Sequence, residues 1–315
     1  MICSSPIFLS VYLYARASRP SPARELSSTT RSVAVDGIEI RVRTAGFAGR
    51  TAGQPAVVFE SGGATPLETW DPVLLAVARF APVFAYDRAG TGESEWDGLP
   101  PTPERVSTRL RRLLSEIGVA PPYVLVGHSW GGALVRYFAG DHPGEVAGIL
   151  YLDPMDVTLT KADMVALFQS IGAGAAEYEA FTAIMQRALS DAPAPLRAEA
   201  AVVMELLEGD PGRRALPAAP RVPTSVIVAG KVAVPPQNGM PFDAKAYAEA
   251  MHESQVRRLR SWVVDGGTFQ VATGSGHFIH ADAPDLVIAE IRRLATGLDD
   301  PPQGPSRRAR AKRSR

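Results

Sequence analysis

The stretch that most constrains this chain is Tyr123-Val124-Leu125-Val126-Gly127-His128-Ser129-Trp130-Gly131-Gly132. Its first half is a short apolar, partly β-branched run, the pattern of a buried strand. Beyond Gly-His-Ser-Trp-Gly, the apolar residues of 133–139 suit a helix. The reading is strand, tight turn, helix, with Ser129 at the apex. Glycine is needed at 127 and 131 because side chains there would strike neighbouring backbone in so sharp a turn. The turn lifts the Ser129 hydroxyl out of the sheet and sets it beside a helix N-terminus. Backbone N–H groups and the helix dipole favour negative charge there.

Strand and helix patterns alternate on both sides of this stretch. Residues 33–43 read as a hairpin about Asp36-Gly37, a strong two-residue turn signal. Residues 55–60, 82–86, 146–152, 224–229 and 268–272 read as further strands. Helices are predicted from Pro72 to about Arg79, Thr102 to about Ile117, Asp243 towards Val263, and Pro284 to Ala295. Between 155 and 219 the pattern becomes helical, rich in Ala, Met, Leu and Glu, and no strand is legible. Such alternation predicts an α/β fold, a mostly parallel sheet with helices on both faces and the hairpin as its antiparallel edge. The expected organisation is a core of residues 32–154 and 220–298 with a helical cap, 155–219, inserted between two strands. An extension (1–31) precedes the core and a basic, proline-containing tail (299–315) follows it.

Composition narrows the function classes. With 315 residues, 46% of them hydrophobic, the chain can bury a full core. Its formal net charge is zero, which gives no reason to expect nucleic acid or an anionic membrane as partner. Its one cysteine is Cys3, so no disulfide or cysteine metal cluster can form within the chain. No metal-binding or phosphate-loop motif is present, and no cofactor is expected. The apolar run 6–15 is shorter than the ~20 residues a membrane-spanning helix needs, so stable membrane insertion is not expected. No Lys or Arg precedes that run, which leaves a cytoplasmic protein as the expectation. Secretion is the alternative, with Ala15-Arg16-Ala17 as a cleavage-like site.

Gly-His-Ser-Trp-Gly between a strand and a helix resembles the nucleophile elbow of the α/β-hydrolase fold family. Loops resembling that family's recur at Ser61-Gly62-Gly63, along 87–94 and at 274–278, so the resemblance covers about residues 33–297. It implies that Ser129 is a nucleophile needing a base and an acid in the chain order Ser, acid, His. Of the five histidines, His277 alone lies in a glycine-flanked loop directly after the last strand, where the family places its base. His280 is the decoy three residues on, expected to pack or bond near the loop, and His128 is expected to support the turn. The acid is less determined. No carboxylate occupies the loop 230–238, where many members carry it, while Asp153 closes the strand 146–152, where others do. Asp153 is therefore the expected acid, with Asp156 and Asp243 as alternates, although a strand-end Asp before Pro154 also suits a simple cap.

The resemblance also implies two backbone donors for a developing oxyanion. These map to Trp130, the residue after the serine, and to Gly63. The family's loop often carries His-Gly-x where this chain has Ser61-Gly62-Gly63, which leaves the support of that loop open. Residues 87–94 are read as structural. The expected function is a serine hydrolase acting on a small-molecule acyl substrate, a small or medium carboxylic ester, through an acyl-enzyme on Ser129. Acyl transfer or perhydrolysis on the same residues, or a non-catalytic receptor, are the alternatives. Epoxide hydrolases and haloalkane dehalogenases share the scaffold but begin from a carboxylate, which the serine at 129 disfavours. Met164, Leu167, Phe168, Phe181, Ile184 and Met185 of the insertion could line an apolar pocket or form the insertion's own core.

Overall fold

The computed structural model describes residues 27–208 and 216–297. The apolar run 6–15 and the basic tail lie outside them, as does 209–215 within the insertion.

Among the described residues, eight strands form one sheet in the order β1-β2-β4-β3-β5-β6-β7-β8. They are β1 (Thr29–Val35), β2 (Ile38–Ala45), β3 (Ala56–Glu60), β4 (Val83–Tyr86), β5 (Tyr123–His128), β6 (Val146–Leu152), β7 (Thr224–Ala229) and β8 (Phe269–Ala272). β1 pairs antiparallel with β2 and β2 antiparallel with β4, and every pairing from β4 to β8 is parallel. Asp36 and Gly37 both have positive φ (52° and 80°), the conformation that lets a two-residue turn follow the twist of its strands. β1 begins at Thr29, so the extension read as 1–31 is three residues shorter than expected. Thr29 to Ser32 are exposed and carry no apolar alternation, hence their invisibility to pattern.

β3, β4, β5 and β7 are buried along their whole length, the mark of parallel strands covered on both faces. Successive residues divide between two cores with a period of two. Val58, Leu125, Ile149 and Tyr151 face one side, covered by α2 (Pro103–Glu116), α3 (Trp130–Asp141) and the end of α7 (Ala244–Leu259). Val57, Val124, Val126, Leu150 and Leu152 face the other, covered by α1 (Asp71–Val77) and α9 (Pro284–Thr296). The short α8 (Ile279–Asp282) precedes α9.

Among the described residues three helices lie between β6 and β7, as the sequence predicts for the insertion: α4 (Lys161–Ser170), α5 (Ala175–Leu189) and α6 (Ala194–Glu208). Met164, Phe168 and Tyr178 pack with Phe242, and Leu167, Phe181 and Tyr247 close around them. Most of the apolar residues singled out in the insertion therefore make its own core against α7. α6 packs Val202, Val203 and Leu206 onto Trp130, Ala133 and Leu134 of α3. Among the described residues, no helix is long and apolar enough to cross a membrane.

Candidate active site

Parallel register brings the carboxyl ends of the central strands side by side. Glu60 pairs with Gly127, Gly127 with Tyr151, and His128 with Leu152. The residues that follow, 61–64, 129 and 153, are thus neighbours at one edge of the sheet, where open α/β sheets carry their sites. Non-glycine residues with positive φ concentrate there. Ala64 (53°), Ser129 (53°) and Asp153 (43°) all adopt it, a strain that persists only where the surroundings enforce it.

Ser129 joins β5 to α3 with φ 53° and ψ −121° and is buried. Its N–H donates to the Leu152 carbonyl (3.0 Å), and its carbonyl accepts from Gly132 N–H and Met155 N–H (both 2.9 Å). The glycine requirement is geometric. A Cβ on Gly131 would lie 2.2 Å from the Glu60 carbonyl oxygen, and one on Gly127 would lie 2.5 Å from the Gly131 carbonyl oxygen. α3 therefore approaches β3 backbone to backbone, and the serine is carried up between them.

His277 follows β8 in the glycine-flanked loop. Its Nδ1 lies 2.7 Å from Asp153 Oδ2. A carboxylate only accepts, so Nδ1 carries the hydrogen and Nε2 keeps a free lone pair. The other Asp153 oxygen accepts from Ala229 N–H (3.0 Å) and Gln255 Nε2 (3.3 Å). Asp282 accepts from Gly276 N–H (2.8 Å), fixing the loop just before His277. Among the described residues, hydrogen bonds join His277 to Asp153 but not Ser129 to His277. The two alternate acids are engaged elsewhere. Asp156 accepts from Thr158 N–H (2.9 Å) and Arg258 Nε (2.7 Å), and Asp243 caps α7 through Lys245 and Ala246 N–H.

His128 and His280 form a buried cluster beneath His277. His128 Nε2 donates to the His277 carbonyl (2.9 Å), and its ring lies 4.6 Å from the His277 ring. The His128 side chain thus supports the backbone of His277 instead of the turn that was expected of it. Burial, then the neighbouring His277 and His280, hold it well below the ordinary histidine value, so it is neutral. His280 bonds to Thr69 Oγ1 (2.7 Å) and packs on Trp70, and burial pulls it down to about 3. Neither is placed to exchange protons with solvent.

The loop 61–64 has a support that the sequence did not reveal. Arg88, read as locally structural, is buried and reaches this loop. Its Nη1 donates to Glu60 Oε1 (2.8 Å) and the Ser61 carbonyl (2.6 Å), and its Nη2 to the Gly62 carbonyl (2.7 Å). Its Nε and Nη2 also meet Glu199 Oε1 of α6 (3.0 and 2.7 Å). Burial alone would lower the guanidinium, but Glu199 and Glu60 hold it above its ordinary value. Burial pushes the Glu60 carboxyl up, against Arg88 and the Tyr86 hydroxyl that donates to it. The peptide after Gly62 is trans, so the Gly63 N–H points opposite to the carbonyl that Arg88 holds. A Cβ on Gly62 would lie 3.3 Å from Ser129 Cβ and 3.0 Å from His128 Nδ1, so this loop passes directly beside the serine. Glu60 could have been suspected as a lone carboxylate closing an apolar strand, whereas nothing in the sequence marks Glu199. Among the described residues, no group of three or more His, Cys, Asp or Glu side chains is arranged to hold a metal ion.

A mostly parallel sheet with a serine on a left-handed turn and an Asp–His pair beside it defines an α/β-hydrolase. A sequence model of the Alpha/beta hydrolase family matches residues 57–290, and the chain belongs to that family. Over 98 residues it is 35% identical to the uncharacterized protein YqjL of Bacillus subtilis (strain 168), covering 31% of this chain and 39% of that one. Local matches of this kind span about a sixth to two fifths of the curated relatives' length. A haloalkane dehalogenase of Sphingobium indicum (strain DSM 16413 and synonyms) is 26% identical over 301 residues, covering 82% of this chain and 95% of that one. Among solved structures, the serine hydrolase CCSP0084 from the polyaromatic hydrocarbon-degrading bacterium Cycloclasticus zankles superposes with a TM-score of 0.58. Identity there is 15%, over 87% of this chain and 100% of that one, a likeness of fold.

Proposed function

We propose that this chain is a serine hydrolase that cleaves small or medium carboxylic esters through an acyl-enzyme on Ser129. The observation that carries the reading is the 2.7 Å bond from His277 Nδ1 to Asp153, which leaves Nε2 free as a base beside a serine held on a strained turn. His277 Nε2 takes the Ser129 proton as Oγ attacks the carbonyl carbon. The N–H groups of Trp130 and Gly63 receive the oxyanion, and each such donor is worth about 3 kcal/mol in systems of this kind. Trp130 opens α3, where N–H groups lack an intrahelical acceptor. Collapse of the tetrahedral intermediate breaks the ester C–O bond, and the leaving alcohol takes the proton from His277. Water, deprotonated by the same imidazole, then releases the acid and restores Ser129. Asp153 fixes the tautomer throughout and stabilises the imidazolium. Haloalkane dehalogenation, the activity named for the Sphingobium relative, is not favoured, because Ser129 offers a hydroxyl rather than a carboxylate as nucleophile.

The test is labelling of the purified chain by a fluorophosphonate, followed by peptide mapping. Ser129 should carry the adduct, and Ser129→Ala should lose both labelling and p-nitrophenyl ester turnover while keeping its unfolding temperature. An adduct that persists in that variant would place the nucleophile elsewhere.

A further inference from the structure

We propose that Arg88 and Glu199 are positioning residues for the oxyanion loop, so that the site is complete only when inserted helix α6 is seated on the core. The inference rests on the reading of Gly63 as an oxyanion donor for Ser129. Its basis is the set of bonds on either side of that residue. Arg88 grips the carbonyls of Ser61 and Gly62 before Gly63, and Glu199 Oε2 accepts from Ala64 N–H after it (2.7 Å). Glu199 Oε1 also holds Arg88 through two nitrogens (3.0 and 2.7 Å). One carboxylate from α6 thus fixes both flanks of the donor. Ala64 is held at φ 53°, which a non-glycine residue adopts only under constraint. The same helix packs Val202, Val203 and Leu206 onto Trp130, Ala133 and Leu134. α6 is therefore in contact with the segment carrying each proposed donor, Gly63 through Glu199 and Trp130 through apolar packing.

Two features make this a built arrangement and not a surface ion pair. Arg88 and Glu199 are both buried, their side chains 2% and 7% exposed. Every polar contact is also directed at backbone of the loop or at a carboxylate that holds the guanidinium. The loop itself consists of Ser61, two glycines and Ala64, with little side-chain packing to keep one conformation. A loop of that kind needs bonds from elsewhere to present an N–H in a fixed direction.

Glu199→Gln tests this with almost no change of volume. Glutamine has one acceptor oxygen where the carboxylate has two, and its amide nitrogen is a donor. Its oxygen satisfies the charged, two-pronged Arg88, so the amide nitrogen faces Ala64 N–H, donor to donor. The Gly63–Ala64 segment then relaxes. The assay is steady-state hydrolysis by the full chain of a p-nitrophenyl ester and of the matching thionoester, in which C=S replaces C=O. Sulfur is a weak hydrogen-bond acceptor on a longer bond, so the thionoester draws little on the oxyanion donors. Loss of one such donor costs roughly 10²–10³ in kcat. Displacing it should lower kcat on the oxoester roughly tenfold or more, with KM within about twofold, and leave the thionoester rate nearly unchanged. The oxo-to-thiono ratio should therefore fall by about the same factor. Arg88→Lys, which removes the fork, should lower the ratio in the same direction.

A ratio equal to that of the parent chain overturns the proposal, even if both rates fall, because a uniform loss means damage to the fold or to the nucleophile. Labelling of Ser129 in the parent chain separates the two levels of inference. If the parent is neither labelled nor active, the hydrolase reading fails and this one with it. If the parent is active and Glu199→Gln keeps its ratio, the positioning role alone fails.

Discussion

Asp153→Asn isolates the acid, because the structure dictates which way the new amide must face. Asp153 Oδ1 receives two donors, Ala229 N–H and Gln255 Nε2, while Oδ2 receives His277 Nδ1–H. An asparagine has one acceptor oxygen, and Ala229 N–H is buried backbone that needs an acceptor. The amide oxygen therefore takes the Oδ1 position. The amide NH₂ falls where Oδ2 was and points at His277 Nδ1. The ring can satisfy that donor only with Nδ1 bare and the hydrogen on Nε2. In that tautomer Nε2 cannot accept the Ser129 proton, and no carboxylate remains to stabilise an imidazolium. The same exchange in chymotrypsin-like proteases lowers kcat about 10⁴-fold, which corresponds to about 5.5 kcal/mol of lost transition-state stabilisation.

Stability should change far less, because only the His277 bond is lost and the Ala229 bond survives. The cost expected is about 1–3 kcal/mol for a hydrogen bond to a charged group. The assay is kcat and KM on a p-nitrophenyl ester for the parent and Asp153→Asn, with urea unfolding of each. The expected outcome is a kcat lower by roughly 10³–10⁴ with KM within a few-fold. A fall of less than tenfold in a folded variant would refute the argument, and Asp156→Asn would then be the next measurement.

Two further perturbations test the frame around the site. His280 is buried and neutral with its value near 3, so between about pH 3 and 6.5 the unfolded chain binds a proton that the folded chain does not. Stability therefore falls as pH drops below 6.5, by about 1.4 kcal/mol per pH unit for this residue. His280→Gln should lose about 2 kcal/mol less than the parent between pH 6.5 and 5 by urea denaturation, and equal losses would show that His280 titrates normally. Gly131→Ala should lower the unfolding temperature by about 5–10 °C, since its methyl would lie 2.2 Å and 2.6 Å from the Glu60 and Ser61 carbonyl oxygens. Gly144→Ala, with open space at the added carbon, is the control that should stay within about 1 °C.

The parts of the fold legible in the sequence are those with a local pattern. β3, β5 and β7 are continuous apolar runs because both faces are covered, and the Asp36-Gly37 turn names its own conformation. The elbow was legible because its glycines answer to backbone contacts a few residues away in space. The pairing of Asp153 with His277 was readable only through the family resemblance, which offers two strand ends for the acid, and no carboxylate follows β7 before 238. The first residues of β1 were not. Thr29 to Ser32 pair with Arg41 to Thr44 through backbone, and their exposed polar side chains carry no period.

What escaped the sequence has a common physical character. Arg88 meets partners 28 and 111 residues away, and Arg258 meets Asp156 across 102. Polar pairs at such separations leave no periodic trace, because one charged residue in a helix reads as solvent-facing whether or not it is. Glu199 lies in an alanine-rich helix and looks like a surface residue, yet it is buried and satisfied by three N–H groups. Burying a carboxylate is costly unless its lone pairs are matched. A chain that keeps one against a glycine-rich loop gains a directional constraint that apolar packing could not impose, since hydrophobic contacts are non-directional. The insertion is thus joined to the core in two chemically different ways. Apolar residues seat α6 on α3, and one carboxylate fixes the backbone beside Ser129. Exchanging the insertion for another of equal hydrophobicity would preserve the first and lose the second. The position of that backbone therefore depends on how a single helix is seated.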